Sequence, residues 1–378
     1  MIHIISRLLA AIALSVAAAA MAVAQTSSQV ASTRASSGED TPRFEVAPFW
    51  PKPLPNNWIV GQVAGIAVGK DDHIWIIHRP STLVDDEKEA MKDPPATRCC
   101  KPAPPVMEFD ADGNLLRHWG GPGAGYEWPK NEHGIFIDND GNVWLAGNDN
   151  ADHQILKFTP DGKFLQQIGK AGSTGGSNST TQLGRPAHMV IDEPAGELYV
   201  ADGYLNRRVI VFDARTGAYK RHWGAYGNTP SDEKLPAYRA DAPLSRQFAN
   251  PVHCVRISAD GLVYVCDRAN DRIQVFRKDG AFVKEFRVEP QTLANGSVWD
   301  LVLSTDPQQR YIFIVDGANN QVVVLAREDG KVLSSFGQSG RMAGQFKWVH
   351  NVAIDSKGNL YTAEVGFGRR VQKFNRLD

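Results

Sequence analysis

The stretch "NEHGIFIDNDGNVWLAG" (131–147), followed closely by "ILKFTPDGKFLQQIG" (155–169), decides the fold. In each, short apolar runs flank a turn centred on Asp-Gly, which is the pattern of a β-hairpin. Two hairpins in succession make a four-stranded antiparallel unit. The second hairpin returns as "VMEFDADGNLLRHWG" (106–120), "VIVFDARTGAYKRHWG" (209–224), "IQVFRKDGAFVKEF" (273–286) and "VVVLAREDGKVLSSFG" (322–337). Before each lies another hairpin, such as "VRISADGLVYVCD" (255–267). A sixth unit, "VQKFNRLD" (371–378), stops after its first strand.

Repeated four-stranded units of this size indicate an all-β, six-bladed β-propeller, its sheets packed face to face around an axis. The last blade lacks its outer strand, while "RFEVAP" (43–48) is to spare near the beginning. That segment is expected to supply the missing strand and close the ring, removing an exposed sheet edge. The pattern resembles NHL repeats, with "D-x-x-N-x-R" variants beginning at Asp202 and Asp267.

Outside the propeller, Arg7 precedes the apolar run "LLAAIALSVAAAAMAVA" (8–24), which ends in the small-residue pattern Ala22-Val23-Ala24. This reads as a secretory signal peptide cleaved after Ala24, with a periplasmic or secreted product. Residues 25–41, rich in Ser, Thr and Ala, read as a flexible leader, and residues 42–378 as the propeller. No later segment is apolar enough to span a bilayer. With 41 Lys and Arg against 42 Asp and Glu, the charge balance points to no nucleic-acid partner and no membrane surface. A monomer acting on a small or peptide-like molecule is the expectation.

Aligning the innermost strands places Gly65, His133, His188, His253, Asp300 and His350 at one equivalent, axis-facing position, spaced 47 to 68 residues apart. Four histidines and an aspartate are thus expected at one channel mouth. Neutral imidazoles sharing a site suit a borderline divalent ion such as Zn2+, and three histidines with an open fourth position form a catalytic zinc arrangement. A solvated polar channel without metal is the alternative. The ends of the second strands add Arg79, Tyr204 and Arg268 at the same face.

These residues resemble the peptidyl-α-hydroxyglycine α-amidating lyases, six-bladed propellers with zinc on the axis. The resemblance covers roughly residues 58–376 and is carried by "GQVAGIAVGKDDHIWIIHR", "HGIFIDNDGNVW", "GELYVADGYLNRRVIVF", "VHCVRISADGLVYVCDRANDRIQVF" and "VHNVAIDSKGNLY". It implies His133, His253 and His350 as zinc ligands, Tyr204 as the catalytic tyrosine and Arg79 and Arg268 as the active-site arginines. It also implies a calcium ion lower in the channel, on the backbone carbonyls of Ile66 and Ile135 and the side chain of Asn351. The family reaction cleaves the C–N bond of a carbinolamide to an amide and a glyoxylate-like aldehyde acid, without an organic cofactor.

Several positions depart from the family pattern. His188 replaces an acidic residue and Asp300 a small one, so either is a possible extra metal ligand. Asn351 replaces a carboxylate, Trp348 a methionine beside the metal, and Leu205 a disulfide cysteine next to the tyrosine. Two other readings of the function stand beside the lyase: a propeller that binds a protein or ligand without chemistry, and a metal-dependent hydrolase or lactonase assisted by Asp300.

The four cysteines remain. Cys254 and Cys266 are expected to face each other across the "SADG" turn, near enough for a disulfide or as two buried thiols. Cys99 and Cys100, within "DPPATRCCKPAPP", are a possible vicinal disulfide in the long loop of blade one, or free thiols, or a link to another chain.

Overall fold

The computed structural model describes residues 41–378, so the signal-peptide reading and residues 25–40 of the leader lie outside the described residues. Period-two patterning produces the expected sheets. Blade one comprises Gln62–Val68, Ile74–Arg79, Val106–Phe109 and Leu115–Trp119. Blade two comprises Glu132–Ile137, Val143–Gly147, Gln154–Phe158 and Phe164–Gly169. Blade three comprises His188–Asp192, Glu197–Asp202, Arg208–Asp213 and Tyr219–Trp223. Blade four comprises Val252–Ile257, Val263–Asp267, Arg272–Phe276 and Phe282–Arg287. Blade five comprises Asp300–Leu303, Tyr311–Asp316, Gln321–Ala326 and Val332–Phe336.

Blade six is assembled from both ends of the described chain. Val349–Ile354, Leu360–Glu364 and Val371–Arg376 are completed by Phe44–Ala47, which pairs antiparallel with the last strand in the register Phe44 to Arg376 and Ala47 to Lys373. The expected closure is therefore present. Phe44 packs edge-on against Phe313 of blade five, with ring centroids 5.3 Å apart, so the closing strand also joins the core between blades five and six.

The turns explain themselves locally. In "DNDGN" the Asp138 carboxylate accepts hydrogen bonds from the amides of Asp140 (3.1 Å) and Asn142 (2.8 Å), and Gly141 takes φ +80°, where a side chain is strained. The same carboxylate accepts the indole N–H of buried Trp144 at 3.0 Å, tying the turn to the core.

One feature of the inner strands governs the site. Register slips by one residue at Ala64 in blade one, between Glu132 and Ile135 in blade two, at His253 in blade four and at His350 in blade six. These are β-bulges, which leave an extra residue unpaired and re-aim its side chain. Blades three and five run without a slip, pairing His188 with Ala201 and Asp300 with Val315.

The expectation that Cys254 and Cys266 face each other matches the register, since the two are directly paired with a Cα–Cα separation of 4.8 Å, within reach of a disulfide. Cys99 and Cys100 lie side by side in a surface loop, next to Lys101–Pro102, which pairs in parallel with Trp58–Ile59.

Candidate active site on the propeller axis

His133, His253 and His350, from blades two, four and six, are buried and bring one nitrogen each within 4.8 Å of one another. Their ring centroids are 4.8 to 5.2 Å apart. All three sit on the bulges, and all three are oriented the same way by the next blade. His133 Nδ1 faces the carbonyl of Ala187 at 2.8 Å, His253 Nδ1 that of Trp299, and His350 Nδ1 that of Ala64 at 2.8 Å. A carbonyl only accepts, which assigns the ring proton to Nδ1 and turns three Nε2 lone pairs toward the axis. This outer partner for each imidazole is how metal-ligating histidines are held.

Burial keeps the three rings neutral. It holds His133 and His253 well below the ordinary imidazole value and brings His350 down to about 3, with nearby cationic groups adding to the effect. Among the described residues, these are the only three histidines that cluster with metal-ligand geometry.

Tyr204 reaches into this cluster. Its hydroxyl lies 2.9 Å from His133 Nε2 and 3.0 Å from His253 Nε2. One hydroxyl proton satisfies only one of those two acceptors. The other inward lone pair is left for a further group, and a borderline divalent cation such as Zn2+ fits that need.

Three guanidinium groups surround the phenol. Arg268 is buried and lies over the Trp299 ring at 4.4 Å and over the Tyr204 ring at 5.9 Å; its Nε has no partner. Arg79 is held by the Glu132 carbonyl (2.7 Å), Gln62 (2.9 Å) and Asn148 (3.3 Å), and its charge acts on Tyr204. Burial lowers both arginines from their ordinary value, opposed by the phenol. Arg185, which the sequence reading did not single out, also lies over the Tyr204 ring at 5.7 Å and donates from Nε to the Asn148 carbonyl at 2.8 Å. A lone arginine before a proline carries no local signal for such a role.

The repeat motif holds these groups in place. Asp202 and Arg208 form a fully buried pair at 2.9 Å, joined by Asn206, and the loop between them carries Tyr204. Asp267 and Arg272 form the equivalent pair at 2.7 Å with Asn270, and Arg268 follows the aspartate directly. The loop carrying Tyr204 is further tied by its amide to the Arg185 carbonyl at 3.1 Å.

The sequence-based expectation that His188 and Asp300 share the same mouth needs correction. Without a bulge they remain in the ladder, beside a different layer of the channel. Asp300 is bound by Arg256 (2.8 Å), Asn351 (3.1 Å) and the Val352 amide (3.2 Å), and His188 Nδ1 faces the Val255 amide at 3.5 Å. Neither joins the three-histidine cluster. The implied calcium position also fits poorly: Ile66 and Ile135 are buried inner-strand residues, but Asn351 directs its oxygen to His350 Nδ1 at 2.5 Å and its nitrogen to Asp300. Trp348 stands partly exposed beside the site, its ring 5.8 Å from Trp299, and Leu205 is exposed next to Tyr204.

Fold and site together define a six-bladed propeller of NHL type with an axial three-histidine cluster. The chain is homologous to peptidyl-α-hydroxyglycine α-amidating lyases and to NHL-repeat proteins. It is 30% identical to peptidyl-α-hydroxyglycine α-amidating lyase 1 of Drosophila melanogaster over 273 residues, 66% of this chain and 46% of that protein. It is 26% identical to peptidyl-glycine α-amidating monooxygenase B of Xenopus laevis over 317 residues, 82% of this chain and 33% of that protein. Thus it spans between a third and a half of the length of these two relatives. NHL repeat-containing protein 3 of Mus musculus is 26% identical over 287 residues, 72% of each chain. No protein-family model matches. Among solved structures, a Bacteroides thetaiotaomicron protein of unknown function shares the fold, with a TM-score of 0.53 and 16% identity over 91% of this chain and 74% of that one.

Proposed function

We propose that the axial cluster is the active site of a metal-dependent carbon–nitrogen lyase acting on a carbinolamide, with His133, His253 and His350 as the ligands of a zinc-class ion. The observation that supports this most directly is the placement of the Tyr204 hydroxyl against two inward-facing imidazole nitrogens, between buried arginines. A bound ion there supplies Lewis acidity that lowers the pKa of a coordinated hydroxyl.

The chain's own groups complete the reaction. Tyr204, whose hydroxyl lies against the two inward imidazole nitrogens, is the group placed to take the proton of the substrate hydroxyl. As the carbonyl of the aldehyde forms, the C–N bonding pair leaves with nitrogen, which becomes the amide by receiving the proton that Tyr204 took from the hydroxyl. Arg268 and Arg79 hold a substrate carboxylate and oppose developing negative charge in a site from which burial excludes water. The unpartnered Arg268 Nε is a donor available for that purpose. Export through the apolar run at 8–24 belongs to the same reading.

The test is glyoxylate release from an α-hydroxyglycine amide by zinc-loaded protein, beside Tyr204→Phe. Loss of about 10²–10⁴ in kcat with metal content unchanged is expected. Metal-loaded protein that releases no glyoxylate overturns the lyase. The likeness to NHL repeat-containing protein 3, whose name carries no reaction, favours a non-catalytic binding propeller as the second reading. The hydrolase reading loses its support, because the Asp300 carboxylate is engaged by Arg256.

A further inference from the structure

Below the three histidines the channel contains a second polar layer with its own logic. Arg256 extends from the inner strand of blade four and is largely buried, its side chain 17% exposed. Its Nε donates to the Leu301 carbonyl at 2.9 Å, and its Nη2 donates to the Val352 carbonyl at 3.1 Å and the Asp300 carboxylate at 2.8 Å. One guanidinium therefore collects two inner-strand carbonyls and the buried Asp300 carboxylate, from blades five and six. This is the oxygen-rich surrounding that a hard divalent cation takes.

We propose that Arg256 is the fixed cation of the lower channel, in place of a bound calcium ion, and that it positions the axial site through Asp300, Asn351 and His350. A calcium ion held at Asn351 would lie one contact from an Asp300 carboxylate already neutralised by the guanidinium, and would be repelled by that charge. Asn351 offers no charge to offset that repulsion. The contacts also form a continuous series. Arg256 holds Asp300 Oδ2, Asp300 accepts from Asn351 Nδ2 at 3.1 Å, and Asn351 Oδ1 accepts from His350 Nδ1 at 2.5 Å. The single His350 Nδ1 proton is thus shared between the Asn351 oxygen and the Ala64 carbonyl, which together fix the ring. Such outer partners typically carry a 10–100-fold effect on metal affinity.

The proposal does not depend on lyase activity, so its test uses binding and stability. Zinc-loaded protein is titrated with calcium chloride, with radiolabelled calcium in equilibrium dialysis and thermal unfolding as readouts. The wild type is expected to bind no calcium and to show no shift in Tm. Arg256→Ala, which leaves Asp300 buried without its partner, is expected to lose about 10 °C in Tm. Its zinc affinity should fall about 10-fold or more. The Arg256→Ala/Asn351→Asp variant restores a carboxylate and empties the guanidinium position, and calcium should raise its Tm. Stoichiometric calcium on the wild type overturns the proposal, as does a folded double variant indifferent to calcium. The wild-type titration decides the question even where the double variant fails to fold.

Discussion

Tyr204 has one proton and faces two imidazole nitrogens, and this imbalance shapes the chemistry at the residue scale. Removing a single imidazole leaves two ligands, too few for a zinc-class site. If the cluster holds a zinc-class ion as proposed, the wild type is expected to purify with about one transition metal per chain and His253→Ala without it, by elemental analysis of chelator-free preparations. Wild-type protein that stays empty after incubation with zinc would sink the metal site and leave the binding propeller. Residue type and spacing were enough to group His133, His188, His253, Asp300 and His350 with Arg79, Tyr204 and Arg268, and the family resemblance alone singled out three of the histidines. Neither was enough to reveal Arg185 or Arg256, because an isolated arginine looks the same in a sequence whether it faces solvent or a channel.

At the scale of elements, the buried Asp267–Arg272 pair holds the turn that presents Arg268 to the site. Asp267→Ala leaves the fully buried Arg272 guanidinium with the longer 3.4 Å contact to Glu285 as its only carboxylate partner, and a loss of about 3 kcal/mol in urea unfolding is expected. Replacing both partners with apolar residues should recover much of that stability, yet leave the turn without its tie and impair the site. Full recovery of activity together with stability would show that the pair does not position Arg268. The bulges are the other decisive element. A one-residue slip separates His133, His253 and His350 from His188 and Asp300, which align with them in the sequence.

At the scale of the whole molecule, closure of the ring buries several histidines as neutral rings, which ties stability to pH. His78 is buried, accepts from the Gly61 amide at Nδ1 and donates from Nε2 to the Pro104 carbonyl, and burial brings it down to about 4. Burial likewise brings His188 to about 3. Folded values below the unfolded value mean that the unfolded chain binds more protons as the pH drops below 6.5. Each such ring then removes about 1.4 kcal/mol per pH unit until its folded value is reached. Urea midpoints should decline steadily from pH 6.5 to about 4, and Tm with them. A flat profile over that window would contradict the neutral buried rings.

Blade count, strand order within each blade and the closing strand at Phe44–Ala47 were legible in the chain, since alternation and Asp-Gly turns are local properties and a missing strand can be counted. The Cys254–Cys266 pairing was legible for the same reason, through hairpin register. Which axis-facing residues meet was not. A bulge is set by how two strands settle against their neighbours in the ring, so only the assembled propeller separates the three-histidine layer from the Arg256–Asp300 layer beneath it.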